Sequence, residues 1–272
     1  MVGATDLADV APESAERVVV LAPPGAIERR HVLALALRAL KPGGVFDVMA
    51  PKDKGGSRLA KELAALGASF EEAAKAHHRR CTGVRPDRLD LDAAIAEGAP
   101  RLTELGWSQP GVFSWDRFDP GSRVLAETLP ALTGRGADLG CGIGVLSRYV
   151  LTSPAVAELT LVDLDRRAVE CAKRNVVDPR ARFVQADLRA GDAGLKDLDF
   201  VVTNPPFHDA GHEDRTLGQG FVARAAATLR KGGTLWLVAN RHLPYEAPLR
   251  AAFARVTERV ASGPFKVFEA IR

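Results

Sequence analysis

The sequence predicts an α/β protein: a mostly parallel sheet with helices on both faces, preceded by a shorter α/β unit of related design. Three observations predict it. From residue 134 onward, short apolar runs alternate with helical stretches at the spacing of strand–helix–strand crossovers. Part of that pattern recurs upstream. The last two apolar runs, 256–261 and 265–271, have only Ser262-Gly263-Pro264 between them. That link is too short for a parallel crossover, so these runs pair as an antiparallel hairpin.

Taken in order, residues 1–16 read as a polar leader, and 17–22 as a buried strand ended by Pro23-Pro24-Gly25. A helix follows, with Val32, Leu33, Leu35, Leu37 and Leu40 on its apolar side, stopped by Lys41-Pro42-Gly43-Gly44. Residues 45–49 form a strand, 57–66 a helix closed by Gly67, and 70–84 carry strand character around 76–81. Residues 85–110 are polar and broken by proline and glycine, so the domain boundary falls near residue 105, between a unit 1–105 and a unit 106–272. In the second unit, strands are expected at 135–138, 159–163, 182–186, 199–203 and 234–239. Helices are expected at 145–151, 166–175, 216–229 and 246–254.

Composition bounds the function. With 46% hydrophobic and 26% charged residues, the 272-residue chain is an ordinary globular one. A net charge of +3 suits a nucleic-acid substrate without requiring one. Cys81, Cys141 and Cys171 stand far apart with no C-x-x-C, which argues against a disulfide framework or a cysteine zinc site and fits a reducing compartment. Asp6, Asp9 and Glu13 replace the basic start of a signal peptide, and no run approaches the ~18 apolar residues of a membrane span. A cytoplasmic protein is expected; the sequence leaves its oligomeric state open, with a monomer favoured.

Leu40-Lys41-Pro42-Gly43-Gly44 parallels Leu229-Arg230-Lys231-Gly232-Gly233, each between a helix and a strand. Upstream, Val18-Val19-Val20-Leu21-Ala22-Pro23-Pro24 parallels Phe200-Val201-Val202-Thr203-Asn204-Pro205-Pro206, with Ala22 in the place of Asn204 and Gly25 in that of Phe207. The first half reads as a shortened, degenerate copy without its own site.

The second copy carries the chemistry. Pro205 and Pro206 have no N–H for a ladder, so the strand stops at Asn204, and a residue before proline is held extended. The Asn204 amide then accepts through its oxygen and donates through its nitrogen at a strand tip. With the aromatic Phe207 next to it, this suits a flat, hydrogen-bonding substrate such as a nucleobase. A strand ended by a proline turn over a buried ring has the same pattern.

Asp138-Leu139-Gly140-Cys141-Gly142-Ile143-Gly144 joins a strand to a helix. Gly140 and Gly142 let a ligand approach the backbone. The third glycine is Gly144 rather than residue 145, so this is not the dinucleotide fingerprint, and no Gly-Lys-Ser/Thr of a P-loop follows. Asp138 would repel phosphate and suits a cationic group. Asp163 ends the next strand, where an acid accepts both hydroxyls of a ribose. Asp187 ends the third and could take an adenine amine.

Together these residues resemble class I S-adenosylmethionine-dependent methyltransferases. The glycine loop is similar to their first motif, and Asn204-Pro205-Pro206-Phe207 to the catalytic motif of enzymes that methylate planar exocyclic nitrogens. Pro110-Gly111-Val112-Phe113-Ser114, Asp119-x-Gly121-Ser122, Val238-Ala239-Asn240, Leu243-Pro244-Tyr245 and Phe265-Lys266-Val267 narrow the likeness to the ribosomal RNA guanine-N2 methyltransferases of the RsmC type.

The resemblance implies a seven-stranded Rossmann-like catalytic domain after a degenerate methyltransferase-like one used in RNA recognition. It implies S-adenosyl-L-methionine as cofactor, leaving as S-adenosyl-L-homocysteine. Binding falls to Phe113, Ser114, Asp138, Gly140, Cys141, Gly142, Asp163, Leu164, Asp187, Leu188 and Asn204, and catalysis to Asn204, Pro205, Pro206 and Phe207. The partner is ribosomal RNA or a ribosomal subunit. An adenine N6, a glutamine amide, or a non-catalytic role in RNA binding or ribosome assembly are the alternatives. His208 and His212 are four apart and followed by Glu213, but Gly211 breaks a helix there and no third ligand is obvious, so no metal is expected. Arg29-Arg30-His31 and the His77–Arg80 cluster are candidate RNA contacts.

Overall fold

The computed structural model describes residues 6–191, 193–206, 208–209, 212–213, 215–260 and 263–272. Contacts divide the chain into two units, Met1–Ala99 and Pro100–Arg272. The division precedes the expected boundary because the small hairpin Arg101–Thr103 and Gly106–Ser108 belongs to the second unit: Asn175 accepts from the Trp107 N–H at 2.6 Å and donates to its carbonyl at 2.8 Å.

In the first unit the elements are β1 (Ala15–Leu21), α1 (Ala26–Ala39), β2 (Leu40–Pro51), α2 (Ser57–Ala65), β3 (Ser69–Lys75), β4 (His78–Val84) and α3 (Asp92–Gly98). The sheet order is β1-β2-β4-β3, with β1 parallel to β2 and the other pairs antiparallel. Ala76 and His77 both have positive φ and form the two-residue turn of the β3–β4 hairpin, so the strand expected over 76–81 begins two residues later. The seven-residue α3 and the β5–β6 hairpin fall in the stretch read as broken loop.

The second unit contains β5 (Arg101–Thr103), β6 (Gly106–Ser108), α4 (Pro120–Thr128), β7 (Gly134–Leu139), α5 (Val145–Val150), β8 (Val156–Asp163), α6 (Arg166–Asn175), β9 (Ala181–Gln185) and β10 (Leu198–Thr203). It continues with the two-residue pair β11 (His208–Asp209) and β12 (His212–Glu213), then α7 (Arg215–Thr228), β13 (Leu229–Asn240), α8 (Glu246–Ala252), β14 (Arg255–Val260) and β15 (Phe265–Ile271). The main sheet runs β14-β15-β13-β10-β7-β8-β9. Its first five strands in sequence are parallel, while β15 is antiparallel to both neighbours, as the short Ser262-Gly263-Pro264 link requires. This is the seven-stranded class I methyltransferase arrangement.

Both faces are covered. Along β10, Phe200 and Val202 join the core that includes Leu125, Leu146 and Leu159, while Val201 joins the one built with Phe221, Val222 and Leu249. Successive side chains of a strand point to opposite faces, so a strand buried on both sides reads as a continuous apolar run. From β7 the chain winds one way through β8 and β9. It then returns to β10 and winds the other way through β13. The β7/β10 junction is therefore the topological switch point, where open α/β sheets form a crevice at the carboxyl ends of their strands.

Candidate active site

Three strand tips meet at that junction. The Thr203 hydroxyl, fully buried, donates to the Leu139 carbonyl at 2.7 Å and ties the end of β10 to the end of β7. Asn204 and the glycine turn 140–144 are thereby neighbours. Gly142 has φ +54, and a Cβ placed there would meet nothing within 4 Å: its bare side faces open space, where a ligand can lie against the backbone. Gly144 serves packing instead. A Cβ there would come 2.8 Å from Val176 of the segment after α6, and φ +83 lets the chain enter α5.

Asp138 is buried, and its Oδ2 accepts from the Ser147 hydroxyl at 2.6 Å. Burial pushes its pKa up to about 7; the Ser147 bond opposes this and the charge of Asp163 adds to it. Asp163 accepts from the Gly142 N–H at 2.8 Å and from the Asp165 N–H at 2.9 Å, so it braces the glycine turn. Burial raises its pKa too, against those backbone bonds. Asp187 accepts from the Arg189 backbone and guanidinium, all at about 3 Å, and that side chain holds its pKa below the usual value. Cys141 is buried, its thiol pKa pushed well up by burial, and its side chain belongs to the core beneath the turn.

Asn204 carries the most specific geometry. Its Nδ2 donates to Asp119 Oδ2 at 2.8 Å and to Ser122 Oγ at 2.9 Å. The same Asp119 oxygen caps α4 by accepting from the Ser122 N–H at 2.7 Å. With both amide hydrogens engaged, the carboxamide has one orientation, and no described residue donates to its Oδ1. From sequence, Asp119 and Ser122 are visible only as part of the motif Asp119-x-Gly121-Ser122. The signal for their placement was there: an aspartate before a proline is a helix N-cap followed by proline at the first turn.

Two connected hollows open on these groups. The larger, about 580 Å³, lies within the ~300–1,000 Å³ of small-molecule sites. Its lining includes Gly140, Gly142, Asp163, Asp187, Asn204 and Pro205, with apolar surface from Leu164, Ala168, Leu188 and Phe221. Phe113 and Asn204 border both it and a smaller recess of about 40 Å³, which reaches Asp119, Ser122, Asp138 and Ser114. Ser114 is held at φ +53, its hydroxyl donating to the Arg117 carbonyl at 2.8 Å.

The lining fits a nucleoside bearing a cationic amino group: the Asp138 carboxyl to accept from the charged group, Asp163 to accept from vicinal hydroxyls, and Leu164 and Leu188 beside a flat ring. Asn204 Oδ1 then stands ready to accept an N–H. Phe207 lies outside the described residues, as do the side chains of His208, His212 and Glu213.

Of the other predicted positions, Arg29-Arg30-His31 is not an RNA-facing cluster. Arg29 is buried on Glu62, Arg30 pairs with Glu97, and His31 Nδ1 lies 2.9 Å from the Ile95 carbonyl. Arg79 pairs with Glu72 and Arg80 with Asp47.

The methyltransferase small domain family profile matches residues 106–269. The ribosomal RNA small subunit methyltransferase C of Pseudomonas aeruginosa (strain UCBPP-PA14) is 34% identical over 96% of this chain and 81% of its own. That of Shewanella amazonensis is 30% identical over 94% and 77%. Among solved structures, the T. thermophilus 16S rRNA N2 G1207 methyltransferase (RsmC), in complex with AdoMet and guanosine, superposes with a TM-score of 0.81 at 27% identity. That match covers 98% of this chain and 75% of the other.

Proposed function

The chain belongs to the methyltransferase small domain family, among relatives of the ribosomal RNA small subunit methyltransferase C type; on that premise we propose that it methylates the exocyclic N2 amine of a guanine in small-subunit ribosomal RNA, with S-adenosyl-L-methionine as donor. The observation that carries this is the Asn204 carboxamide, held through its nitrogen by Asp119 and Ser122, on a cleft lined also by Asp163 and the glycine turn.

When bound, the cofactor supplies an electrophilic methyl. The chain's residues do the rest. Asp163 receives the ribose hydroxyls, Asp138 the ammonium, and Phe113, Ser114, Cys141, Leu164, Asp187 and Leu188 complete the cofactor's surroundings. An aryl amine is a weak nucleophile because its lone pair is delocalised into the ring. Asn204 Oδ1 and the Pro205 carbonyl accept its two N–H groups, favour the polarised amine and aim its nitrogen. Pro206 and Phe207 shape the base's seat. Catalysis is then orientation and preorganised electrostatics.

The catalytic share lies in the second unit. A share of RNA recognition falls to the first, whose sheet leaves Arg17, His78 and Arg80 exposed. Among the described residues no helix is long and apolar enough to cross a membrane. The proposed setting is the cytoplasm, acting on ribosomal RNA or the subunit.

The test is methyl transfer from labelled cofactor to small-subunit RNA and subunits, with the product digested to nucleosides. N2-methylguanosine is expected. N6-methyladenosine, or label in protein, would replace the acceptor; an absence of cofactor binding by calorimetry would leave a non-catalytic RNA-binding protein.

A further inference from the structure

The segment between β6 and α4 places Phe113, Trp115 and Phe118 within six residues. Phe118 stacks on Tyr149 of α5, with ring centroids 5.9 Å apart and an interplanar angle of 20°. The Arg123 guanidinium sits over the Phe118 ring at 5.2 Å. Tyr149 remains 47% exposed and Phe113 58%. A single exposed aromatic needs no explanation. Here Tyr149 is joined to Phe118, and Phe118, Phe113 and Arg117 border the same recess as Asp119, Ser122 and Asn204. That recess, about 40 Å³, takes a water or two and no base, and Tyr149, outside its lining, offers an exposed ring on which a base can stack.

The charges around the stack point the same way. Arg117, Arg123 and Arg148 are exposed. The carboxylate beside Arg117 is Asp116, at 4.0 Å and itself half exposed, a pairing of little strength in water. Arg148 gives one N–H to the Leu105 carbonyl at 2.8 Å, which fixes its arm while its exposed guanidinium keeps further donors. Two further carboxyls line the recess: Asp119, whose bonds are directed at Asn204 and the α4 cap, and the buried Asp138, bonded to Ser147. Aromatic faces interleaved with arginines are the signature of single-stranded nucleic-acid binding, where bases stack on rings and guanidiniums take phosphate.

We propose that Phe118, Tyr149 and the three arginines form a docking platform for an unpaired RNA nucleotide beside the target base, with its base stacked on Tyr149 and its phosphates on Arg117, Arg123 and Arg148. This rests on the RNA reading above. A base modified at an exocyclic amine must leave its stack, and its neighbours in a loop are then unpaired and need a partner. Phe118 and Arg117 line the recess that holds Asn204 as well as Asp138, whereas Tyr149, Arg123 and Arg148 line neither hollow, so the stacking face stands outside the cofactor's site and is left to the substrate strand.

The experiment measures binding of a fluorescein-labelled single-stranded fragment of small-subunit ribosomal RNA by anisotropy across a salt series. It compares the unaltered protein with Tyr149→Ala, Tyr149→Phe and Arg117→Ala. Tyr149→Ala is expected to weaken RNA binding about tenfold to a hundredfold, while Tyr149→Phe, which keeps the ring, stays close to the unaltered protein. Arg117→Ala should lower the slope of log affinity against log salt by about 0.7, the share of one phosphate contact on a single strand. Cofactor affinity by calorimetry should be the same in all four proteins. Thermal melting identifies any variant that fails to fold, and the exposed Arg117 variant then carries the test alone.

Unchanged RNA affinity and slope in folded variants would overturn the platform. So would competition by polyglutamate equal to that by polyuridylate, which would assign the surface to an acidic protein. If the unaltered protein methylates no RNA, the functional reading falls first and takes the platform with it; if it does and these variants bind as it does, only the platform falls.

Discussion

β1 and β2 in the first unit match β10 and β13 in the second almost residue for residue. Leu40 pairs with Ala15 and Leu229 with Leu198; the ladder then skips to Val45–Arg17 and Thr234–Phe200, past a glycine near φ +80 in each case. That register puts Leu21, not Ala22, at the position of Asn204. Matching the two proline pairs shifts the alignment by one residue, because the first copy has an extra residue before its prolines. Below the tips the copies agree; at the tips they diverge.

In the first unit the Pro23 and Pro24 carbonyls accept from the Arg29 guanidinium at 3.2 and 2.7 Å. Arg29, 1% exposed, is held in turn by two bonds to Glu62 at 2.6 and 2.7 Å. Among the described residues β1 is also an edge strand, with no counterpart of β7 or its glycine turn alongside. In the second unit the corresponding tip is tied to β7 by Thr203 and braced by Asp119 and Ser122 through the Asn204 nitrogen, and Asn204 and Pro205 line a cleft. The same strand pair supports a closed end or an open one, and the side chains at the tip decide which.

The strongest test of the closed end is Glu62→Ala. It leaves a buried guanidinium with half its partners, which should cost about 3–5 kcal/mol of stability in denaturant unfolding. Cofactor affinity below the unfolding midpoint should not change. A midpoint equal to that of the unaltered protein would mean the ion pair does not hold this tip together. At the open end, Asn204→Ala should lower kcat about 100- to 1,000-fold, the usual effect of losing one preorganised hydrogen-bonding group, at unchanged cofactor affinity. Retained turnover would remove the functional distinction between the two tips.

The brace is tested next. Asp119→Ala frees the Asn204 amide and uncaps α4. The loss of a charged hydrogen bond predicts a fall in kcat of about tenfold to a hundredfold, with little change in KM for RNA. Asp119→Asn separates the two effects. One Asp119 oxygen makes both contacts, and an amide oxygen in its place can accept from both Asn204 and the Ser122 N–H. Most of kcat should return; if it does not, the charge and not the orientation matters.

The difference between the halves was legible where local chemistry sets it. The runs ending at Leu139, Asp163 and Thr203 announce their own stops with glycine, acid or proline, and the structure brings their tips to one cleft. The hairpin Arg101–Ser108 was not legible, because what holds three-residue strands there is Asn175, distant in sequence. Nor was the fate of Arg29, since nothing near it in the chain reveals that Glu62 will meet it.

The smallest expected effect sharpens the contrast by pH. Asp138 has its pKa raised by burial to about 7 from a model-peptide value near 4, so the folded protein binds a proton there that the unfolded chain releases. Its contribution to stability is therefore full below pH 4 and is lost as pH rises through 7. A cationic amino group needs the opposite form. Cofactor affinity should fall about tenfold for each pH unit below 7 as the carboxylate takes up its proton, while stability without cofactor rises over the same interval. Asp138→Asn separates this acid from Asp163, whose pKa burial also raises. The variant should bind cofactor weakly at every pH with a flattened slope between pH 6 and 7. A slope identical to that of the unaltered protein would place the titrating group at Asp163 and leave Asp138 as a brace for Ser147 alone.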